Sequence, residues 1–394
     1  MKKQKIIIIF LTTILIFMNN YTICYAINNQ EIPKDNELHA SSALLMDGDS
    51  GRVLYEKNGY QSLPMASTTK IMTCLYTLEH GDLSSLVTVS SNAASAPQVK
   101  LGMKAGETYQ LGDLLYSLML ESHNDTAIAI AEAVEGSVEN FCKKMTKEAK
   151  TFGCKETCFK TPNGLDEKGH HTTAYELALI TREALKNDTF RKIIKTPSYE
   201  LENTEGSRHF SLTNHDAFLS MYDGAIGVKT GFTGKAGYCF VGAVESEGRT
   251  FITAVLASGW PPHKSYKWAD TKKLMDYAVS NYHYKTLLDK DNYSLPEITV
   301  ENGRTKLCQL YLKDSVSFLT KDKEIIHFEQ NIPDVLTAPV KKNTAIGNVT
   351  IYLDDHVIAT VPVYTKNSSK KITFCYCFKT ILFYYLNGFT YESP

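Results

Sequence analysis

The sequence predicts an α+β fold: an antiparallel sheet beside a helical cluster, followed by a small all-β domain. Strand patterns stand at both ends of a helical stretch, at 42–56 and again at 225–258, so distant segments are expected to close one sheet. Strands and helices do not alternate, which disfavours a doubly wound parallel sheet. Past Tyr284 the texture changes to short alternating runs split by Asp, Asn, Gly and Pro.

The chain opens with Met1-Lys2-Lys3-Gln4-Lys5, an apolar run from Ile6 to Met18, and a polar stretch ending Cys24-Tyr25-Ala26. A basic start, a short apolar core and small residues at −3 and −1 describe a secretory signal peptide, residues 1–26, cleaved after Ala26. The expected parts are then a domain at 27–284, the all-β domain at 285–365, and a linker with a terminal segment at 366–394. Ser42–Asp47 and Arg52–Glu56 flank Gly48-Asp49-Ser50-Gly51 and read as a hairpin. A helix begins at or near Ser67, with Ile71, Leu75 and Leu78 on one stripe. Further helices are expected at about 111–120, at 125–134 (apolar nearly all round, hence buried) and at 174–186, the last capped by Thr172 or Thr173. Strands return at 225–230, 237–245 and 250–258, and the spacing of Trp268, Leu274, Tyr277 and Ala278 makes 267–281 a helix. Alternating runs at 307–312, 316–320, 325–328, 349–353 and 357–363 make up the all-β domain.

Composition excludes several classes. The net charge is −1 without a basic stripe, so nucleic acid is not an expected partner. Cysteines are too sparse for a disulfide scaffold; Cys74 and Cys239 fit buried apolar positions, and Cys154 with Cys158 are either bridged or free. Histidines are dispersed and no paired Cys-x-x-Cys occurs, so neither a metal site nor a cofactor is expected. The segment 372–389 is aromatic-rich and apolar, behind Lys370-Lys371 and interrupted by Lys379; it fits an interfacial membrane anchor.

Three short clusters carry the chemistry: Ser67-Thr68-Thr69-Lys70, Ser122-His123-Asn124 and Lys229-Thr230-Gly231. A serine and a lysine three apart on a helix share a face, about 5–6 Å between Cβ atoms. Ile71 and Met72 follow Lys70, and burial with a nearby cation, for which Lys229 is the candidate, favours a neutral amine able to take the serine proton. A helix start also offers a free backbone N–H for a developing oxyanion. Ser122 and Asn124 fall in a break between helices, suited to a proton relay and to a substrate amide. Lys229 and Thr230 suit a terminal carboxylate, Gly231 admits a close backbone, and the Phe232 N–H suits the oxyanion.

The ordered triple resembles the serine D-alanyl-D-alanine carboxypeptidases, the low-molecular-mass penicillin-binding proteins. The likeness extends over about 38–365 and the tail, through Pro64–Thr73, Thr161-Pro162-Asn163-Gly164-Leu165, His171–Tyr175, Gly227–Thr233 and Ala236–Cys239. It implies a β-lactamase/transpeptidase-like domain, a small β domain and a C-terminal amphipathic anchor. It also implies acylation of Ser67 by a peptidoglycan stem peptide with loss of D-alanine, and trapping by β-lactams. The expected location is the extracytoplasmic face of the cell membrane, held peripherally. Some relatives carry an Arg after the third strand; here Gly259–Lys264 has none, and Lys264 is the substitute considered. Two rival activities share the motif: a β-lactamase, which needs a deacylating Glu that Thr161-Pro162-Asn163-Gly164 lacks, and a transpeptidase or endopeptidase.

Overall fold

The computed structural model describes residues 30–387, so the expected signal peptide and the last seven residues of the tail lie outside the described residues. The described chain forms two compact units, divided between Ser280 and Asn281.

Unit 1 is built on a five-stranded antiparallel sheet. Its strands are β1 (Ser42–Asp47), β2 (Val53–Lys57), β7 (Ala225–Thr233), β8 (Gly237–Ser246) and β9 (Arg249–Leu256), in the order β2-β1-β9-β8-β7. The N-terminal hairpin therefore joins the C-terminal strands through β1 and β9, in register Leu44 opposite Ala254. Every residue of β1 is buried. That requires cover on both faces of the sheet, and the alternation of a half-solvated hairpin is accordingly absent.

Beside the sheet lies the helical cluster. It comprises α1 (Lys70–His80), α2 (Leu111–Tyr116), α3 (Asn124–Glu135), α4 (Val138–Thr151), α5 (Ala174–Ala184) and α6 (Asp188–Lys195). The last helix, α7 (Tyr266–Asn281), buries Leu274, Met275, Tyr277 and Ala278 outside the core of that cluster. Three starts are fixed by side chains that accept from orphan backbone N–H groups: Ser137 from Asn140, Thr173 from Glu176, and Asn187 from Thr189 and Phe190. Helix α1 is the centre of the cluster. Lys70 through Thr77 are buried without a gap, so the helix is enclosed all round rather than along the expected Ile71–Leu75–Leu78 stripe.

Several local expectations change. The α-helix begins at Lys70, preceded by a 3-10 turn at Ala66–Thr69 that holds Ser67. The helix expected at 111–120 stops at Tyr116 and continues as a π turn, Ser117–Glu121, closed by Ser122 in the left-handed region (φ 68°). Two hairpins interrupt the helical stretch and its exit: β3 (Leu86–Thr88) with β4 (Thr108–Gln110), and β5 (Ser198–Glu202) with β6 (His209–Thr213). Three-residue strands leave too short a pattern to recognise. Cys154 and Cys158 are both free thiols.

Unit 2 is all-β up to its last helix. A pair, β10 (His283–Leu288) with β14 (Val316–Thr320), accompanies two sheets. One orders β12 (Leu307–Cys308), β11 (Ile298–Glu301) and β16 (Val335–Thr337). The other orders β13 (Leu310–Leu312), β18 (His356–Thr365), β17 (Ala345–Leu353) and β15 (Ile326–Asn331). Its cores are small: Leu288, Leu312, Val349, Ile351, Val361 and Val363 in one, Val300, Cys308 and Ala338 in the other. The terminal segment is a helix, α8 (Phe374–Asn387), with no buried residue. Ile372, Tyr376 and Thr380 are its half-shielded positions, and Arg304 lies 3.9 Å from the Tyr376 ring centroid. At about 1.5 Å per residue it is too short to span a bilayer, and no described helix is long and apolar enough to cross one.

Phe141 is fully buried on α4 and packs edge-on against Tyr76 of α1 at 5.0 Å. Phe141→Ala should cost about 3–5 kcal/mol of stability, read as a lower denaturant midpoint at unchanged slope.

Candidate active site

The turn carrying Ser67 is held by hydroxyls and by two glycines. Thr68 Oγ1 donates to the Met65 carbonyl (2.6 Å) and Thr69 Oγ1 to the Ala66 carbonyl (2.8 Å). Burial pushes His170 down to about 4, so its imidazole is neutral near pH 7. Its Nδ1 accepts from the Lys160 N–H (3.0 Å), which leaves Nε2–H to donate to Thr69 Oγ1 (2.8 Å). Gly164 has φ +85°, and a side chain there would overlap the Ala66 carbonyl. A Cβ on Gly231 would stand 2.9 Å from the Ser67 nitrogen. The close approach that Gly231 permits within the chain is that of its own Ala66–Thr68 turn. As a consequence β7 runs directly beside the Ser67 N–H.

Lys70 points back at Ser67 from a fully buried position. Its Nζ lies 3.1 Å from Ser67 Oγ, 3.0 Å from Asn124 Oδ1 and 2.6 Å from the Asn163 carbonyl oxygen. Burial, and then the positive charge of Lys229, hold its pKa well below the usual lysine range, opposed by Asp125. A neutral amine has two N–H bonds and one lone pair. The two carbonyl oxygens take the N–H bonds, and the lone pair is left facing the Ser67 hydroxyl. Among the described residues, neither Ser67 nor Lys70 is hydrogen-bonded to a carboxylate.

Asn124 opens α3 with its amide nitrogen donating to the Pro97 carbonyl (3.2 Å), which directs Oδ1 at Lys70. Next to it, Asp125 accepts from the N–H groups of Leu101, Gly102 and Met103 and so fixes the loop on that side. The Ser122 hydroxyl is buried and without a hydrogen-bond partner among the described residues. A buried orphan hydroxyl costs about 1–3 kcal/mol, which a bound ligand can restore. His123 turns away into its own network, within 2.9 Å of Ser117 Oγ and 3.2 Å of Glu121 Oε2, and braces the π turn. Burial lowers its pKa, with Glu121 opposing.

On β7, Lys229 is buried and brought to about 8 by that burial, opposed by Asp216. Asp216 is itself buried and raised to about 6, even though it accepts from the Phe218 N–H (3.0 Å) and the Val228 N–H (3.1 Å). Thr230 is half-buried, and the Phe232 side chain is exposed beside Tyr238, 4.6 Å between rings. Lys264 is exposed; its carbonyl accepts from the buried Lys267. Sequence reasoning names Asn163 and Gly164 only within the stretch that carries the family likeness, with no role, and does not single out His170 or Asp216. Asn163 acts through its carbonyl, which no residue identity announces. Metal-ligand geometry occurs only elsewhere among the described residues, where Glu79, His80 and Glu148 put ligand atoms within 4.8 Å of one another. That group sits at the far end of α1 from Lys70.

The chain is similar to known proteins over both units. Residues 28–259 match the family model described as D-alanyl-D-alanine carboxypeptidase, and residues 282–371 match that of the C-terminal domain of penicillin-binding protein 5. The chain is 35% identical over 360 residues to the D-alanyl-D-alanine carboxypeptidase DacF of Bacillus subtilis, covering 89% of this chain and 91% of that protein. The crystal structure of D-alanyl-D-alanine carboxypeptidase from Mycobacterium tuberculosis superposes with TM-score 0.57 at 33% identity, covering 64% of this chain and 93% of that one. Penicillin-binding protein 5 from Haemophilus influenzae shares the fold over 87% of this chain and all of its own, TM-score 0.69 at 24% identity.

Because the Lys229 charge helps to hold the Lys70 pKa down, Lys229→Ala should raise it. Carbon-13 NMR titration of labelled lysines reads the change directly; an unmoved Lys70 resonance would refute the coupling.

Proposed function

We propose, from the premise that the chain belongs to the D-alanyl-D-alanine carboxypeptidase family, that Ser67 and Lys70 are the nucleophile and base of its reaction. The protein is a serine-type carboxypeptidase that removes the terminal D-alanine of peptidoglycan stem peptides. The observation that carries the residue assignment is the buried Lys70 Nζ, 3.1 Å from Ser67 Oγ and within hydrogen-bond distance of two carbonyl oxygens, with its pKa held well below the usual lysine range by burial and then by the Lys229 charge.

Lys70 takes the Ser67 proton as Oγ attacks the carbonyl between the two D-alanines. The oxyanion is received by the N–H groups of Ser67 and Phe232, which the close packing at Gly231 keeps on neighbouring backbones. Lys229, largely charged near pH 7, and Thr230 hold the terminal carboxylate. Ser122 relays a proton to the departing amine, which explains an otherwise orphaned hydroxyl. Asn124 positions Lys70 and holds the substrate amide. Lys70 having passed its proton through Ser122 to the leaving amine, water attacks the acyl carbonyl and gives a proton to Lys70, which returns it to Ser67 Oγ as the acyl bond breaks and the shortened peptide leaves. β-Lactams acylate the same serine, and the missing carboxylate beside Ser67 and Lys70 supports slow release rather than β-lactamase turnover.

Export and peripheral attachment complete the proposal. The N-terminal pattern of basic, apolar and small residues supports export. Exposed Phe374, Phe378, Ile381, Phe383 and Tyr385 on α8, with Lys370, Lys371 and Lys379, support a helix lying in a membrane surface.

D-alanine release from a diacyl-Lys-D-Ala-D-Ala tripeptide tests the assignment. Ser67→Ala should abolish release and penicillin labelling, and Lys70→Ala should slow acylation by about 10²–10⁴-fold; full activity in either removes the assignment. Acylation should fall as pH drops through the Lys70 pKa, because protonation removes the lone pair. A chain ending at Lys371 should stay active yet no longer sediment with vesicles; unchanged sedimentation would exclude α8 as the anchor.

A further inference from the structure

Unit 2 holds a feature that the reaction at Ser67 does not use: an open groove of about 820 Å³ along the edge strand β13. Tyr293 and Tyr311 line it, both half-buried and both held by their hydroxyls. Tyr311 donates to Asn343 Oδ1 (3.0 Å), and the Tyr293 hydroxyl accepts from Gln330 Nε2 (3.0 Å). The ring positions are therefore set before any ligand arrives, which lowers the entropy lost on binding. Around them stand the exposed ammonium groups of Lys290, Lys342 and Lys366. Two acids share the lining, Asp291 and Glu297, and Glu297 is engaged by the Gln309 amide at 3.1 Å. The balance is cationic.

Fixed aromatic faces, side-chain amides and a cationic rim match one ligand chemistry in particular. Sugar rings present C–H faces to aromatics, acetamido and hydroxyl groups to amides, and attached carboxylates to ammonium groups. We propose that this groove binds the acetylated amino-sugar strand of peptidoglycan, the polymer that carries the stem peptides; the proposal rests on the carboxypeptidase reading only for its choice of polymer. The benefit is one of effective concentration. A chain attached to the strand through unit 2 meets the many stem peptides of that strand at a raised local concentration, with no new contact at Ser67. Unit 2 thereby acts as a substrate-retention module for polymeric wall and is dispensable for small peptides.

The test uses the full chain, with Lys290→Glu/Lys342→Glu, which alters only exposed side chains, and separately Tyr311→Ala. Co-sedimentation with insoluble, peptide-stripped glycan is measured beside D-alanine release from intact wall and from the soluble tripeptide. Wild-type protein should sediment, and both variants should lose sedimentation. Their kcat/KM on wall should fall roughly tenfold while the tripeptide rate stays unchanged. Wild-type protein that does not sediment, or a charge-reversed variant that sediments as well as wild type, overturns the proposal. Loss of binding to phosphatidylglycerol vesicles with glycan sedimentation retained would assign the lysines to lipid and overturn it equally. Failure of wild-type protein to release D-alanine from the tripeptide would count against the carboxypeptidase reading alone, since sedimentation still decides the groove.

Discussion

The burial of one lysine amine is the constraint on which the rest of unit 1 depends. A lysine enclosed by protein cannot keep its proton cheaply, and Lys70 is enclosed completely at the first position of the most buried helix. Removing charge from the amine leaves two donors and one lone pair to be matched. Asn124 and the Asn163 carbonyl supply the match from two other segments of the chain. The remaining direction is that of Ser67. Reactivity here follows from satisfying a buried polar group, and every segment that approaches Lys70 is fixed by that requirement.

The geometry needs backbone precision as well as side chains. Ala66 takes a positive φ of 49°, a conformation that costs a non-glycine residue energy. It is held from both sides, by Gly164 against its carbonyl and by Gly231 against the following nitrogens. The π turn ahead of Ser122 is a second departure from regular structure at the same site, braced by the His123, Ser117 and Thr126 contacts. Irregular backbone of this kind persists where surrounding packing over-determines it. One face of the sheet and the helices packed on it supply that packing through an extensive core.

Electrostatics form a graded chain behind the nucleophile. Asp216 faces Lys229, and Lys229 faces Lys70. Burial is the largest cause at each of the three, and the neighbouring charge adds a smaller shift: Lys229 lowers Lys70, and Asp216 raises Lys229. Unit 2 contrasts with this arrangement. Its cores are small, and its distinctive surfaces are an aromatic and cationic groove and an apolar helix with no buried residue.

Much of this was legible in the residues. Period and turn chemistry placed the hairpin at 42–56, the three later strands and the change of texture past Tyr284, because each is a local pattern of sufficient length. Ser67, Lys70, Ser122, Asn124 and Lys229 stood out because side-chain identity at fixed spacing carries their chemistry. The three-residue strands at 86–88 and 108–110 lacked enough residues to show a period, whereas the pair at 198–202 and 209–213 does alternate, through Tyr199, Leu201, Phe210 and Leu212, a signal that sequence reasoning missed. Asn163 contributes a carbonyl, Gly164 and Gly231 contribute the absence of a Cβ, and Asp216 contributes a charge whose effect depends on burial. Those roles exist only once separated segments meet, because burial, close approach and main-chain orientation are properties of the packed chain. Chemical identity at the site was thus determined by sequence alone; protonation, alignment and the reason for each glycine were decided by tertiary structure.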